Sequence, residues 1–248
     1  MRTSWLHAFV LSGAFSLAGW SVLRASATEP PANQPPPPPV VSTPEGKPPS
    51  DALVLMDGTS LGAWVRAGTN DPAGWKPQGS QGGWTECQPG SGSIATRESF
   101  GDVQIHLEFA TPEVIDGKDQ GRGNSGVYIM GRYEVQVLDS FENPTYPDGS
   151  CGSIYGIAPP LVNASRPPGT WQTYDIIFRA PRFDAAGKKT ENARVTVLHN
   201  GVLVQNATEI PKPTLAGLFG DESASTGPIY LQDHGNRVRY RNVWVRRL

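Results

Sequence analysis

The sequence predicts an all-β fold, an antiparallel two-sheet jelly-roll sandwich, on three observations. Glycine and proline supply 28 and 24 of the 248 residues, too many for helices to dominate. Several segments alternate apolar with polar residues, the period of a strand buried on one side. No stretch sustains the 3.6-residue period of a helix that could cover a sheet, so the strands must cover one another.

The chain opens on Arg2, an apolar run from Leu6 to Val22 and then Ala25-Ser26-Ala27, which reads as a signal peptide over residues 1–27. Export to the periplasm, cell surface or medium follows from that reading. Residues 28–50 read as a disordered spacer. Ten of the 24 prolines fall between positions 30 and 49, and proline denies the backbone a donor and favours an extended chain. Residues 51–248 remain as one folded domain. Lysine plus arginine total 21 against 23 acidic residues, a net charge of −2 that lacks the basic surplus needed for nucleic acid. No second apolar span follows the first. Cys87 and Cys151 could form one bridge or remain a pair of buried thiols.

Within the domain, Val103 to Phe109 places Val103, Ile105, Leu107 and Phe109 on one face and Gln104, His106 and Glu108 on the other. Arg132 to Val137 repeats the pattern, with Tyr133, Val135 and Val137 inward and Arg132, Glu134 and Gln136 outward. If the two strands share a sheet, one outer face gathers carboxylates, an amide, an imidazole and a guanidinium. Alternating charge alone is also what any solvated strand shows. Asn200-Gly201 between two β-branched runs signals a type I′ hairpin. The run from Arg237 to Leu248 alternates basic with apolar residues and reads as a strand with a solvated face.

Three further segments bear on chemistry. Gly121 to Gly126 is glycine-rich but precedes a strand, so it suits close ligand approach rather than phosphate binding at a helix. Glu134-x-Gln136 leads into Asp139 and a loop reaching Cys151. Gln232-Asp233-His234-Gly235-Asn236 lies between strands, where the Asp-His pair could orient a base, bind a metal or make a tight turn. His106 is open between ligand contact and plain surface, whereas His199, beside the Asn-Gly turn, reads as structural.

These residues resemble the 3-keto-disaccharide hydrolase domain family, found mainly in bacteria. The resemblance runs from Leu55-Met56-Asp57-Gly58 through Gly123-Asn124-Ser125-Gly126-Val127-Tyr128 and Tyr133 to Ser140, then to Leu231-Gln232-Asp233-His234-Gly235 and Arg241-Asn242-Val243. It implies a concanavalin A-like jelly roll and cleavage of glycosides whose sugar is oxidised at C3. Glu134-x-Gln136-x-x-Asp139 is similar to the Glu-x-Asp-x-x-Glu strand of laminarinase-type retaining glucanases. Five strand steps span roughly 16 Å at about 3.3 Å each, however, and retaining hydrolysis needs carboxyl groups about 5 Å apart.

A 3-keto sugar needs less. Its ketone acidifies the C2 hydrogen, so the chain must supply a base, a donor for the enolate oxygen and an acid for the departing oxygen. Glu134 or His234 is the candidate base, and Arg122 or a divalent cation the oxyanion partner. Glu108, Asn124, Gln136, Asp139 and Gln232 are candidates to hold sugar hydroxyls. Glu108 and Glu134 offer hard oxygen ligands that would suit calcium or manganese. The alternative is a non-catalytic carbohydrate-binding module, with Trp64, Trp75, Trp84 and Tyr155 as stacking platforms, and a third reading is a scaffold with a degenerate cleft.

Overall fold

The alternation in Val103–Ala110 sorts its side chains as the sequence predicts. Val103, Ile105, Leu107 and Phe109 are completely buried, while Gln104, His106 and Glu108 line the other face of the strand. A computed structural model describes residues 35–80 and 83–248. The signal-peptide reading and the first residues of the spacer lie outside the described residues. The chain divides after Val40; residues 35–40 carry no strand or helix, and Val41–Leu248 form one compact unit.

Among the described residues fifteen strands follow in order. They are β1 (Leu53–Met56), β2 (Trp64–Arg66), β3 (Lys76–Gln78), β4 (Trp84–Glu86), β5 (Ile94–Phe100), β6 (Val103–Ala110), β7 (Ser125–Ile129) and β8 (Tyr133–Val137). Then come β9 (Gln172–Arg179), β10 (Arg182–Phe183), β11 (Lys189–Glu191), β12 (Ala193–His199), β13 (Val202–Ile210), β14 (Gly227–Leu231) and β15 (Arg239–Arg247). Among the described residues the helical elements are two single 3-10 turns, Asp119–Gly121 and Pro147–Gly149, and no helix is long and apolar enough to cross a membrane.

The strands make an antiparallel jelly-roll sandwich. One sheet has eight strands in the order β13-β12-β9-β6-β15-β4-β3, with β1 sharing the edge of β15. The other has five, β2-β5-β14-β7-β8, and β10 pairs separately with β11. Apolar side chains from both sheets merge into one core, including Ile105, Leu107, Phe109, Ile176 and Val197 from the larger and Ile94, Val127, Val135, Ile229 and Leu231 from the smaller. Each such side chain contributes about 1.5–3 kcal/mol through burial. Hydroxyls tie the layers as well. Tyr240 donates to Ser125 Oγ at 2.8 Å, and Tyr174 donates to the Gln136 carbonyl at 2.7 Å. Asn200 and Gly201 adopt φ of 53° and 78° between β12 and β13, the left-handed pair that a type I′ turn requires.

One expectation is corrected. β6 and β8 do not share a sheet: β6 lies between β9 and β15, whereas β8 is the edge of the five-stranded sheet beside β7. The outward side chains of the two strands therefore stand on different sheets. Both cysteines are buried and unbridged, with Cys151 Sγ 3.0 Å from the Tyr174 hydroxyl.

Candidate functional site

The β7–β8 hairpin turns through Met130 and Gly131, both at positive φ, and pairs Tyr128 with Glu134 and Gly126 with Gln136. Val127, Ile129, Tyr133, Val135 and Val137 enter the core, so strand alternation sends Tyr128, Glu134 and Gln136 to the opposite face. Tyr230 of β14 pairs with Tyr128 and completes a row, with its ring centroid 4.8 Å away in an edge-on arrangement. Gln232, just past β14, donates its backbone N–H to Gly126 and its amide Nε2 to the Tyr128 hydroxyl at 3.2 Å.

Gly126 makes the row possible. A Cβ there would lie 2.1 Å from Glu134 Oε1 and 2.8 Å from a Tyr128 ring carbon, so the missing side chain is the space the carboxyl occupies. Loops pack over part of the face. The Glu134 N–H donates to Thr214 Oγ1 at 3.0 Å, the Tyr128 hydroxyl lies 3.1 Å from the Leu215 carbonyl, and Tyr155 N–H reaches the Glu134 carbonyl. Glu134 is left 3% exposed and Gln136 1%.

Electrostatics follow from that burial. Desolvation pushes the Glu134 carboxyl up to about 8, and the Tyr128 hydrogen bond offsets only part of the rise. The carboxyl thus carries its proton at neutral pH. A phenol oxygen can donate one hydrogen and accept others. Tyr128 has three neighbours: Glu134 Oε2 at 2.8 Å, Gln232 Nε2 and the Leu215 carbonyl. Tyr128 donates to Glu134 Oε2, and protonated Glu134 can carry its own hydrogen on Oε1, free to meet a ligand. Ionised Glu134 keeps the Tyr128 hydrogen bond but has no hydrogen of its own to offer.

The amides complete the face. Gln136 Nε2 donates to Gln120 Oε1 at 3.1 Å and to the Gly149 carbonyl at 3.3 Å, and Asn124 Nδ2 donates to the Gln120 carbonyl at 2.7 Å. The Oε1 atoms of Gln136 and Gln232 are buried without a partner. A buried acceptor in that state costs about 1–3 kcal/mol, which a bound ligand can recover.

The remaining candidates stand apart from this group. Arg122 Nε donates to Asp139 Oδ2 at 2.6 Å and Nη2 to the Phe141 carbonyl at 3.0 Å, so the guanidinium is committed to that carboxylate. The pair lines a cleft of about 300 Å³ with Pro112, Gly123 and Asn236. Asp139 makes none of its hydrogen bonds with the Glu134 group. Glu108 lies on the outer face of the eight-stranded sheet, held by Arg241 at 2.6 Å and Asn242 at 3.0 Å, beside a cleft of about 630 Å³. His106 stands near it, stacked on Trp244 and 2.7 Å from Asp175.

Asp233 accepts the N–H groups of Gly92 and Gly235, both at or near 3.0 Å, so its carboxylate builds a turn and makes no bond to His234. His234 is exposed two residues beyond Gln232. His199 is fully buried against Gln172, and burial pulls its imidazole down to about 4.

Glu108 and Glu134, the carboxylates the sequence offers for a shared calcium or manganese ion, stand on different sheets. Among the described residues no group of three or more His, Cys, Asp or Glu could hold a metal ion. Two of the stacking candidates are core: Trp64 and Trp75 are buried, with indole N–H groups bonded to the Leu55 and Gly92 carbonyls. Tyr128, Gln120 and Thr214 were not among the sequence candidates. Tyr128 had a signal, since it alternates with Val127 and Ile129 and must share the face of its hairpin partner Glu134.

Residues 51–246 match the 3-keto-alpha-glucoside-1,2-lyase-like domain. The chain belongs to this family. A crystal structure from Parabacteroides distasonis ATCC 8503, of a candidate glycosyl hydrolase, is 42% identical with a TM-score of 0.79, covering 87% of this chain and 94% of that one. A second candidate glycosyl hydrolase from the same organism is 17% identical with a TM-score of 0.60, covering 80% of this chain and 94% of the other, and shares the fold. A comparison with curated proteins finds no match.

Proposed function

We propose that this domain cleaves glycosides whose sugar carries a ketone at C3, on the outer face of the five-stranded sheet. The observation that carries the reading is the buried carboxyl of Glu134, set on the Tyr128 hydroxyl among amide groups, where burial raises it to about 8. A base removes the C2 proton, and the electron pair is stabilised through the C3 carbonyl. Glu134, with its proton, serves as donor to the developing C3 oxyanion, a role that a low-dielectric site strengthens. The C1 oxygen then leaves with a proton, giving a C1–C2 double bond conjugated to the ketone. Water adds at C1 while a proton returns to C2, and the net reaction is hydrolysis.

Of the two candidate bases, Glu134 holds its proton at neutral pH, so the base in this reading is His234, on the turn beyond Gln232. Arg122 is committed to Asp139, so oxyanion stabilisation falls to Glu134 and Tyr128. The family description, a 3-keto-alpha-glucoside-1,2-lyase-like domain, supports elimination across C1 and C2. The signal-peptide reading places the reaction outside the cytoplasm.

The test is turnover of a 3-keto α-glucoside by the purified protein and by Glu134→Gln. General acid groups contribute about 10²–10⁴-fold, so the variant should lose at least a hundredfold in kcat. Undiminished turnover removes Glu134 from the chemistry. Binding of an unoxidised glycan with no product from any 3-keto substrate would replace the enzyme reading with that of a binding module.

A further inference from the structure

Gln136 and Gln232 present the same half of their amides to the face. Gln136 Nε2 is spent on the Gly149 carbonyl, which can only accept, so the free atom of that side chain must be Oε1. Gln232 Nε2 is spent on Tyr128, leaving its own Oε1 unpartnered. Both residues are more than nine-tenths buried, at 1% and 8% exposure. Gly126 stands between them in register, and the space left by its missing side chain holds the Glu134 carboxyl against the Tyr128 ring, whose hydroxyl joins Gln232 to Glu134.

We infer that this face reads its ligand as acceptor–donor–acceptor, with Gln136 Oε1 and Gln232 Oε1 each taking a hydrogen from a hydroxyl and the Glu134–Tyr128 pair giving one to a carbonyl between them. The complementary ligand carries hydroxyl, carbonyl and hydroxyl on successive carbons. The C2, C3 and C4 positions of a 3-keto hexopyranoside have that order. A sugar with three hydroxyls there brings a weaker acceptor to the centre. A ligand with acceptors at the flanks leaves both glutamine oxygens orphaned and is rejected, because a site built for a hydroxyl discriminates strongly against its loss. The inference rests on the reading that a sugar occupies this face, and it adds the two residues that select it.

The experiment is titration calorimetry of a methyl 3-keto-α-glucoside and its 2-deoxy and 4-deoxy analogues. The protein is Glu134→Gln, which keeps a hydrogen donor at the centre and slows turnover. Each deoxy analogue should bind about tenfold or more weakly than the parent. Gln136→Met and Gln232→Met, added singly, should each abolish the penalty for one analogue and retain it for the other. Equal binding of all three sugars, or both penalties surviving in both variants, overturns the inference. The analogue series decides the matter even if a methionine variant misfolds. Turnover by the wild-type protein is scored separately. Deoxy penalties without any turnover would leave the recognition pattern standing and remove the reaction, whereas turnover without penalties would do the reverse.

Discussion

Replacing Glu134 by Gln should change how the stability of the fold responds to pH. The carboxyl rises from an ordinary 4.5 to about 8 because burial penalises its charge. The unfolded chain releases this proton near 4.5, whereas the folded chain holds it until about 8. Stability contributed by the protonated form is therefore complete below 4.5 and is lost as pH rises towards 8. Above 8 both states are ionised and the loss is complete. Each pH unit between the two values is worth about 1.4 kcal/mol, so the whole window removes roughly 5 kcal/mol as an upper figure. Glutamine keeps the shape and a hydrogen donor but has no proton to lose. Urea unfolding of both proteins at pH 5, 6.5 and 8.5 gives the comparison. Wild type should fall relative to the variant by several kcal/mol across the series, and the variant should be the more stable at pH 8.5. Parallel pH dependence in the two proteins would refute the claim that Glu134 is buried and protonated.

Other outcomes follow from the same geometry. If the protonated carboxyl serves the reaction, kcat for a 3-keto glucoside should fall as pH rises through about 8, and a rise there would make Glu134 the base instead. Gly126→Ala forces Glu134 and the buried Tyr128 ring aside and should cost about 1–3 kcal/mol in urea unfolding. Its kcat should also drop at least tenfold under conditions where it stays folded, and full activity would show that the Gly126 space is not needed. Arg122→Met should leave the buried Asp139 carboxylate unpaired and cost about 3–5 kcal/mol in urea unfolding, whereas Arg122→Met with Asp139→Leu should recover much of it. A loss confined to kcat, with stability intact, would return Arg122 to the chemistry.

The period-two alternation revealed the strands and their buried faces. Val103 to Phe109 and Tyr133 to Val137 both send the anticipated apolar residues into the core. What alternation cannot report is which strands become neighbours. β6 pairs with β9 and β15, far along the chain, and this separates Glu108 from Glu134. It also cannot report what covers an outer face. Glu134 and Gln136 read as solvated positions, but the loops carrying Thr214, Gly149 and Tyr155 bury them. Two relations were within reach. The β7–β8 register pairs Ser125 with Val137, and continuing it outward sets Gly123 opposite Asp139, one residue from Arg122, whose side chain makes the ion pair observed. The same register sets Tyr128 opposite Glu134. The Asp233 turn was the plainest of three readings of its motif, and the N–H groups of Gly92 and Gly235 confirm the geometry.

The most direct test of the central claim is a time course with a 3-keto α-glucoside in deuterated water, followed by mass spectrometry and proton NMR of the released sugar. Proton abstraction and elimination predict one deuterium at C2 of each product molecule from the first turnover, and labelling at least a hundredfold slower with Glu134→Gln. Product that forms at full rate with hydrogen retained at C2 would mean direct displacement at C1, and the account of this face as an elimination site would be wrong.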